Sequence, residues 1–259
     1  MKIYVMTDLE GISGIYSKEQ MSGTRMQEGR EYMTADVNAV AEALKEAGVE
    51  KVIVRDCHGS ANTLLYEKLS LAVDEVVMGS CGDVRFPNVE GCDAIILLGY
   101  HAKAGTHQAI LEHTYNSSAI QNYWINGMAV GEATVDAALA GDRGLPVMMV
   151  SGDDKLKQEV EENLPWAEYA QVKVSNHLFG GMLPHRQNAL KVLKEKAKAA
   201  VSRFEQMQVY QVPAPVTLRI EKIERGSIPS DNTKPGMKII DGRTYEITGD
   251  TMTEIFFLR

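Results

Sequence analysis

The sequence predicts an α/β fold, in which a layered domain with a mostly parallel sheet is followed by a smaller α+β domain. Short, nearly all-apolar runs rich in β-branched residues recur in the first part of the chain and are typical of strands buried on both faces. Segments with apolar residues at helical spacing lie between these runs. After about residue 165, apolar and polar residues alternate as in half-exposed antiparallel strands. We therefore expect domains at 1–165 and 166–259.

The first two predicted strands flank an amphipathic helix. The apolar run at 3–7 predicts the first strand, and the run at 51–55 predicts the second. Residues 28–47 between them place five apolar side chains on one helical face: Met33, Val37, Val40, Ala41 and Leu44. Gly48 follows directly, as is typical of a helix end.

The chain between the second strand and residue 130 predicts further strands and a hairpin. Residues 62–71 indicate a short helix or turn, and 75–78 and 94–99 indicate the third and fourth strands. Two apolar runs within 123–130 are separated by Asn126-Gly127, which is a strong hairpin signal because both residues tolerate positive φ.

Two helices and a strand complete the predicted first domain. A helix over 132–140 precedes a buried strand at 146–150, and a second helix covers 155–164. We expect Asp154 to cap this second helix and Pro165 to end it.

The predicted second domain begins with a long amphipathic helix over 187–207. Alternating residues at 216–220 then predict an antiparallel strand. Short strands are predicted at 237–240, 244–247 and 254–258.

Composition narrows the class of protein. The 259 residues are 44% hydrophobic and 24% charged, which is ordinary for a globular protein. A net charge of −8 argues against nucleic acid as a partner, and no apolar run approaches the roughly 20 residues that a membrane span needs. Three cysteines imply no disulfide framework, and no secretory leader precedes the first strand. We therefore expect a cytoplasmic protein that acts without a membrane or nucleic acid.

Metal-ligand side chains follow three of the predicted strands. Asp8 and Glu10 stand two residues apart at the end of the first strand, His58 follows the second, and His101 follows the fourth. The carboxyl ends of parallel strands meet at one edge of a sheet, so these side chains should gather there. Two neighbouring carboxylates repel each other, and a divalent metal turns that repulsion into coordination.

Glu132 could add a fifth ligand. It begins a predicted helix, where the helix dipole favours a carboxylate, although a simple first-turn Glu is the alternative. The mixed carboxylate–imidazole set suits zinc, manganese or iron better than calcium. One open zinc site typically uses three protein ligands, whereas two metals that share a carboxylate would use all five. Such a pair can lower the pKa of a water held between the metals, which suits amide hydrolysis.

Other residues could serve the same cleft. Both His107 and His113 could reach it from the loop after His101, and spacing alone does not choose between them. Asp56 lies two residues before His58 and on the same side of the strand, so we expect it to orient an imidazole. His177 and His185 are better explained as loop or surface residues.

Together these segments resemble one family, the zinc-dependent D-aminopeptidases (DppA-like). The matching segments are Asp8-Leu9-Glu10-Gly11-Ile12-Ser13-Gly14, Asp56-x-His58, Leu98-Gly99-Tyr100-His101-Ala102, His113, Asn126-Gly127…Gly131-Glu132 and Ser151-Gly152-Asp153-Asp154. They occur in the order of the family over roughly residues 1–160. No single segment is specific, but the combination is.

The resemblance implies a Rossmann-like domain with a smaller α+β domain, and a homo-oligomer, a decamer of two stacked five-membered rings. It implies a substrate as well, a short peptide that begins with a D-residue such as D-alanine. The implied site has two zinc ions: Asp8 bridges them, Glu10 and His58 complete one site, His101 and Glu132 complete the other, and His113 is catalytic.

Two alternatives belong to other functional classes. A phosphohydrolase of the haloacid-dehalogenase type also carries an acidic pair after its first strand. Here the second position is Glu10 rather than Asp, and that chemistry has no use for His58, His101 and Glu132 together. A non-catalytic metal- or peptide-binding module would bind zinc without turnover.

Overall fold

The computed structural model describes residues 1–230 and 233–259, which form a seven-stranded and a five-stranded sheet with six α-helices. The strands are β1 (Lys2–Thr7), β2 (Lys51–Asp56), β3 (Glu75–Val77), β4 (Ala94–Leu98), β5 (Ile120–Ile125), β6 (Met128–Val130), β7 (Val147–Asp153), β8 (Glu168–His177), β9 (Gly180–Met182), β10 (Val216–Lys222), β11 (Met237–Ile239) and β12 (Thr244–Gly249). The helices are α1 (Lys18–Met21), α2 (Met26–Glu46), α3 (Glu132–Gly141), α4 (Asp154–Asn163), α5 (Arg186–Ser202) and α6 (Met252–Phe256).

The large sheet is parallel except at one edge. Its strand order is β3-β2-β1-β4-β7-β8-β9, and only β9 runs antiparallel to its neighbour. The central β1 ends level with both neighbours, since Thr7 pairs with Asp56 of β2 and with Leu98 of β4. The residues that follow these three strands therefore emerge side by side.

The small sheet is antiparallel and joins distant parts of the chain. Its order is β11-β12-β10-β5-β6. The β5–β6 hairpin turns at Asn126 and Gly127, whose φ angles of 48° and 83° match the Asn-Gly prediction. This mixed arrangement, with one mostly parallel and one antiparallel sheet, confirms the predicted fold class.

Apolar side chains cover both faces of the large sheet. Ile3 and Val5 face the layer that contains α2 and α5, which pack against each other. Tyr4 and Met6 point to the opposite face and share a core with α3 and the small sheet. This alternation along one strand explains why β1 has a continuous apolar sequence.

The two sheets are not separated at residue 165. β8 lies beyond that position but pairs with β7 in the large sheet, whereas the β5–β6 hairpin lies before it and pairs in the small sheet. The predicted division into domains at 1–165 and 166–259 stays a prediction.

Three local features differ from the sequence-based expectation. The predicted strand at 254–258 is wrong: these residues lie in and after α6, whose first turn is capped by the Thr251 side chain accepting a hydrogen bond from the Glu254 amide. Asp153 rather than Asp154 caps α4, because its carboxylate accepts hydrogen bonds from two amides of the first turn. β8 was not predicted, since buried Lys173 and Ser175 interrupt its apolar pattern.

In the described part of the chain, every helix is too short or too polar to cross a bilayer.

Candidate metal centre

Six side chains meet at the carboxyl edge of the large sheet. Asp8 and Glu10 follow β1, His58 follows β2, His101 follows β4, His113 lies in the loop between β4 and β5, and Glu132 begins α3. Their ligand atoms fall into two sets, each within 4.8 Å: Asp8, Glu10 and His58 form one, and His101, His113 and Glu132 the other. The structure thus brings together the five expected metal ligands and the expected catalytic histidine.

Asp8 stands between the two sets. Its Oδ1 lies 3.2 Å from His58 Nδ1, and that nitrogen is also 3.2 Å from Glu10 Oε2. The other oxygen of Asp8, Oδ2, lies 3.5 Å from His101 Nε2. Each oxygen of one carboxylate therefore faces a different imidazole, which is the arrangement that a bridging ligand requires.

Glu132 and His113 close the second set. Glu132 Oε1 lies 3.3 Å from His101 Nε2 and accepts a hydrogen bond of 2.7 Å from the Tyr115 amide. His113 stacks on His101, with ring centroids 4.1 Å apart and an interplanar angle of 11°. Its Nε2 lies 3.7 Å from Glu132 Oε1 and 3.9 Å from Glu10 Oε1. The His113 side chain is 15% exposed and that of His101 only 1%, so His113 is the ring open to an incoming molecule.

The hydrogen bonds of the two stacked rings fix which nitrogen faces the carboxylates. His101 Nδ1 lies 3.0 Å from the Ala102 carbonyl and His113 Nδ1 lies 2.9 Å from the Leu111 carbonyl, so each Nδ1–H donates to a backbone oxygen. His101 Nε2 is buried without a hydrogen-bond partner in the described residues. A buried, unpartnered imidazole nitrogen beside carboxylate oxygens is what a zinc-type cation would coordinate. The donor set therefore fits such an ion.

The charges of the site shift its pKa values in opposite directions. Burial would lower the pKa of His58, but the carboxylates of Glu10 and Asp8 outweigh burial and raise it to about 11. Burial likewise opposes the charged form of His101, yet Asp8 and Glu132 raise its pKa well above the usual value. Burial would raise the pKa of Asp8, but His101 and His58 hold it well below its usual range. Asp8 therefore stays ionised and attracts positive charge.

The loop after β1 approaches the loop after β4 closely because of a glycine. A Cβ added to Gly11 would lie 1.7 Å from the Tyr100 carbonyl oxygen, and the Gly11 amide donates to the Gly99 carbonyl at 2.7 Å. A side chain at position 11 would push the two loops apart. Gly11 thus sets the separation between Glu10 and His101.

Lys173 also fixes the position of the loop after β1. This lysine of β8 is buried, and its Nζ donates to the carbonyls of Glu10, Ile12 and Ile15 at 2.6, 3.0 and 2.8 Å. Burial lowers its pKa to about 8, although Asp153, Asp36 and Glu10 act in the other direction. Lys173 was not predicted from the sequence, because its only signal is a charged residue within an otherwise strand-like alternation.

Asp56 accepts hydrogen bonds from backbone amides and does not orient an imidazole ring directly. The sequence predicts it beside an imidazole, but its Oδ2 accepts from the Thr63 and Leu64 amides at 2.6 and 2.9 Å, and its Oδ1 accepts from the His58 amide at 3.3 Å. Asp56 therefore positions His58 by shaping the loop that carries it. The short side chain cannot both accept these amides and reach the ring.

A buried carboxylate that the sequence analysis did not identify lies one turn after Glu132. Asp136 accepts two hydrogen bonds from Arg85, at 2.8 and 2.6 Å, and one each from the hydroxyls of Tyr100 and Tyr115. This cluster ties α3 to three earlier segments of the chain, those that carry Arg85, Tyr100 and Tyr115.

The remaining histidines lie apart from the site. His107, His177 and His185 are exposed, so His113 rather than His107 is the loop histidine that faces the carboxylates.

The candidate metal-ligand side chains open onto a cavity of about 510 Å³. Its lining includes Asp8, Glu10, His58, His113 and Glu132, together with the arginines Arg85 and Arg259. A second cavity, of about 490 Å³, also reaches Glu10, His58 and His113 and has a partly apolar wall formed by Met21, Leu111, Leu178 and Phe179. The site can thus receive a small molecule from solvent.

Comparison with known proteins gives consistent matches over the full chain. A family model described as D-aminopeptidase matches residues 1–258. The D-aminopeptidase of Bacillus subtilis (strain 168) is 35% identical over 254 residues, covering 94% of this chain and 89% of that protein.

A solved structure agrees with these sequence matches. The Zn-dependent D-aminopeptidase DppA from Bacillus subtilis, described as a self-compartmentalizing protease, superposes with a TM-score of 0.91 at 28% identity. The match covers 99% of this chain and 94% of that one.

Proposed function

The chain belongs to the D-aminopeptidase family, and from this we propose that it removes the N-terminal residue, a D-amino acid such as D-alanine, from short peptides by zinc-dependent hydrolysis. The observation that carries the proposal is the position of Asp8, whose two oxygens face His58 on one side and His101 on the other. The phosphohydrolase and the non-catalytic binding module are not favoured, because the family match covers nearly the whole chain.

Two zinc ions per chain are part of the proposal. Asp8, Glu10 and His58 would hold one ion, and Asp8, His101 and Glu132 would hold the other. The nitrogen and oxygen donors are those that zinc uses in catalytic sites, and manganese or iron would accept the same set. Bound zinc supplies a Lewis acid that polarises the scissile carbonyl and lowers the pKa of the attacking water.

His113 is proposed to handle the proton of the leaving group. Its Nδ1–H donates to the Leu111 carbonyl, so Nε2 is the nitrogen that can take up or release a proton on the cavity side. Hydrolysis requires one proton to reach the amine that leaves when the C–N bond breaks. A His113 that is protonated at Nε2 can deliver it, and that nitrogen lies at the cavity between Glu10 and Glu132.

The proposed substrate is short and has a free amino terminus. The carboxylates Asp8, Glu10 and Glu132 would hold the zinc ions, and the free amine next to the scissile bond, in its neutral form, could serve as a further nitrogen ligand of one ion. A cavity of about 510 Å³ accommodates a peptide of a few residues. Peptides released from cell walls are a source of such D-residues.

We also propose a homo-oligomer, a decamer of two five-membered rings, because the similar Bacillus structure is described as self-compartmentalizing. A cytoplasmic location is proposed on the three free cysteines, Cys57, Cys81 and Cys92, which suit a reducing compartment.

The test combines metal content with turnover. Asp8→Ala should lose both zinc ions, measured by elemental analysis, and all hydrolysis of a D-alanyl dipeptide. His113→Ala should keep its zinc and lose turnover by about 10²-fold or more. His107→Ala is the matched control, since it removes an exposed histidine of the same loop. Normal zinc content in Asp8→Ala, or an L-peptide cleaved faster than its D-isomer, would contradict the proposal.

A further inference from the structure

A third cavity, of about 400 Å³, adjoins the metal-site cavity and is lined by residues of different chemistry. It shares Cys57, Gly59, Arg85 and Arg259 with the wall of the metal-site cavity. Beyond this shared wall it is lined by Arg55 from β2 and by the polar loop of residues 80–83. The two cavities are thus adjacent. Carboxylates and imidazoles line the metal-site cavity, and three arginines line the other, which we call the arginine cavity.

Arg55 is the unusual member. It is only 8% exposed, and its Nε is buried with no hydrogen-bond partner in the residues that the structure describes. One of its other nitrogens donates to the Gly79 carbonyl at 2.9 Å. None of the ion pairs formed within residues 1–230 and 233–259 includes Arg55. A buried guanidinium without a counter-ion is costly, so the site is suited to an anion from outside.

The neighbouring groups do not supply that anion. Asp56 projects to the other face of β2, where it accepts the backbone hydrogen bonds that shape the His58 loop. The Tyr4 hydroxyl donates to the Pro87 carbonyl at 2.7 Å and stays neutral, because burial raises its pKa above the usual value. Asp83 is exposed at the rim of the cavity. Apart from Asp83, the charged side chains that line the cavity are those of Arg55, Arg85 and Arg259.

Arg85 connects this cavity to the metal site, because it lines both cavities. Its carboxylate partner Asp136 lies one turn after Glu132 on α3. The two N–H bonds that Arg85 gives to Asp136 leave donors for a further partner.

We infer that the arginine cavity, built around Arg55 and Arg85 with Arg259 at its rim, binds the free carboxylate at the C-terminal end of the substrate. The inference rests on the proposed function, since it assumes that the amino terminus lies at the metal site. It narrows the substrate class to short peptides with a free C-terminal acid, because the arginine cavity shares a wall with the metal-site cavity. Arginine suits this task, since its planar fork can bind both oxygens of a carboxylate.

The first experiment compares D-alanyl-D-alanine with its C-terminal amide. Zinc-loaded protein should prefer the acid, and Arg55→Gln should lose at least about tenfold of that preference in kcat/KM, chiefly through KM. Arg55→Lys, which keeps the charge, should recover part of it. Arg219→Gln, a half-exposed arginine of the small sheet paired with Glu246, is the matched control and should keep the preference. An equal loss on acid and amide would show a structural role and overturn the inference.

The second experiment separates this inference from the proposed function, because it measures binding without turnover. In thermal shift measurements on zinc-loaded His113→Ala protein, which should keep its zinc but lose turnover, the dipeptide acid should raise the Tm more than the amide, and adding Arg55→Gln should abolish the difference. That result would support the carboxylate site even if no peptide were hydrolysed. An Arg55-dependent shift with inorganic phosphate, together with none from the dipeptide acid, would assign the cavity to a free anion and overturn the inference.

Discussion

At the scale of single residues, the site depends on one carboxylate that serves two partners. Asp8 is 6% exposed, and its two oxygens face imidazoles that belong to different strand ends. Without a cation, the protons on these rings supply the positive charge that the carboxylates require. Metal binding must therefore compete with protons for the same nitrogens.

Zinc binding should release protons from the metal-free protein at pH 7. The pKa of His58 is raised to about 11 and that of His101 well above its usual value. Both rings therefore carry a second proton and a positive charge at neutral pH in the metal-free fold. Zinc binds neutral imidazole, and we expect about two protons to be released per chain. Calorimetric titration in two buffers of different ionisation enthalpy measures the number. His58→Gln should release one proton fewer, and a heat that does not depend on the buffer would refute the expectation.

The same raised pKa stabilises the metal-free fold below a defined pH. A histidine whose pKa rises on folding contributes stability that is fully present below its unfolded value, near 6.5, and is lost as the pH rises through the folded value of about 11. Acid conditions therefore favour the metal-free form over the metal-bound form, since they favour the protonated rings.

Asp8, Glu10, His58 and His101 were predictable as candidate metal ligands because each lies at the end of an apolar strand, whereas Glu132 had no such local signal. A metal-type side chain directly follows an apolar strand three times, and parallel strands place their ends together. The roles of Lys173 and Asp136 were not predictable in this way. Each acts through hydrogen bonds to segments distant in sequence, such as the 163 positions that separate Lys173 from Glu10.

At the scale of elements, the position of the loop after β1 determines the geometry of the site. It contacts the β4 loop through Gly11 and is held by Lys173 of β8. Three elements of the large sheet thus position one carboxylate pair. A displacement of this loop moves Asp8 and Glu10 together.

Gly11→Ala should destabilise the fold and weaken zinc binding together. The added Cβ would lie 1.7 Å from the Tyr100 carbonyl oxygen, which is backbone and cannot rotate away. We expect a loss of about 2–3 kcal/mol in the free energy of unfolding, measured by denaturant titration, and a lower zinc affinity. Gly180→Ala is the control, because its Cβ would meet nothing within 4 Å. Unchanged zinc affinity in Gly11→Ala would show that the loop contact does not position the ligands.

Elements with a regular pattern of apolar residues were predicted from the sequence, and a strand with buried polar residues was not. The strand β4 is fully buried, and its apolar run marks it clearly. β8 was not predicted because its buried positions include Glu168, Lys173 and Ser175. The charges and the hydroxyl of these side chains are paired only with residues distant in sequence. The strand predicted at 254–258 is a helix turn because the Thr251 cap, a local hydrogen bond, outweighs the strand preference of its aromatic residues.

At the scale of the whole molecule, the site is shared between the layers. Asp8, Glu10, His58 and His101 follow strands of the large sheet, whereas Glu132 directly follows the β5–β6 hairpin of the small sheet. Zinc that bridges these groups would link the two sheets.

Zinc should therefore stabilise both sheets in one transition. The two tryptophans allow each sheet to be followed alone, since Trp124 lies in β5 and Trp166 donates its indole N–H to Val147 of β7. In Trp166→Phe and Trp124→Phe variants, fluorescence melting should give one midpoint for both sheets. Zinc at about 100 times its dissociation constant should raise both by the same several degrees, from about 2.7 kcal/mol of stabilisation. A shift seen by only one tryptophan would contradict a shared site.

The pairing of β5 with β10 also has a consequence for biosynthesis. Tyr123 can pair with Ile220 only after the ribosome has added nearly a hundred further residues. Until then the hairpin lacks its central neighbour, and Glu132 has no fixed support. Ribosome-stalled chains that end before Val216 should accordingly bind less zinc than the complete chain and show no hydrolysis.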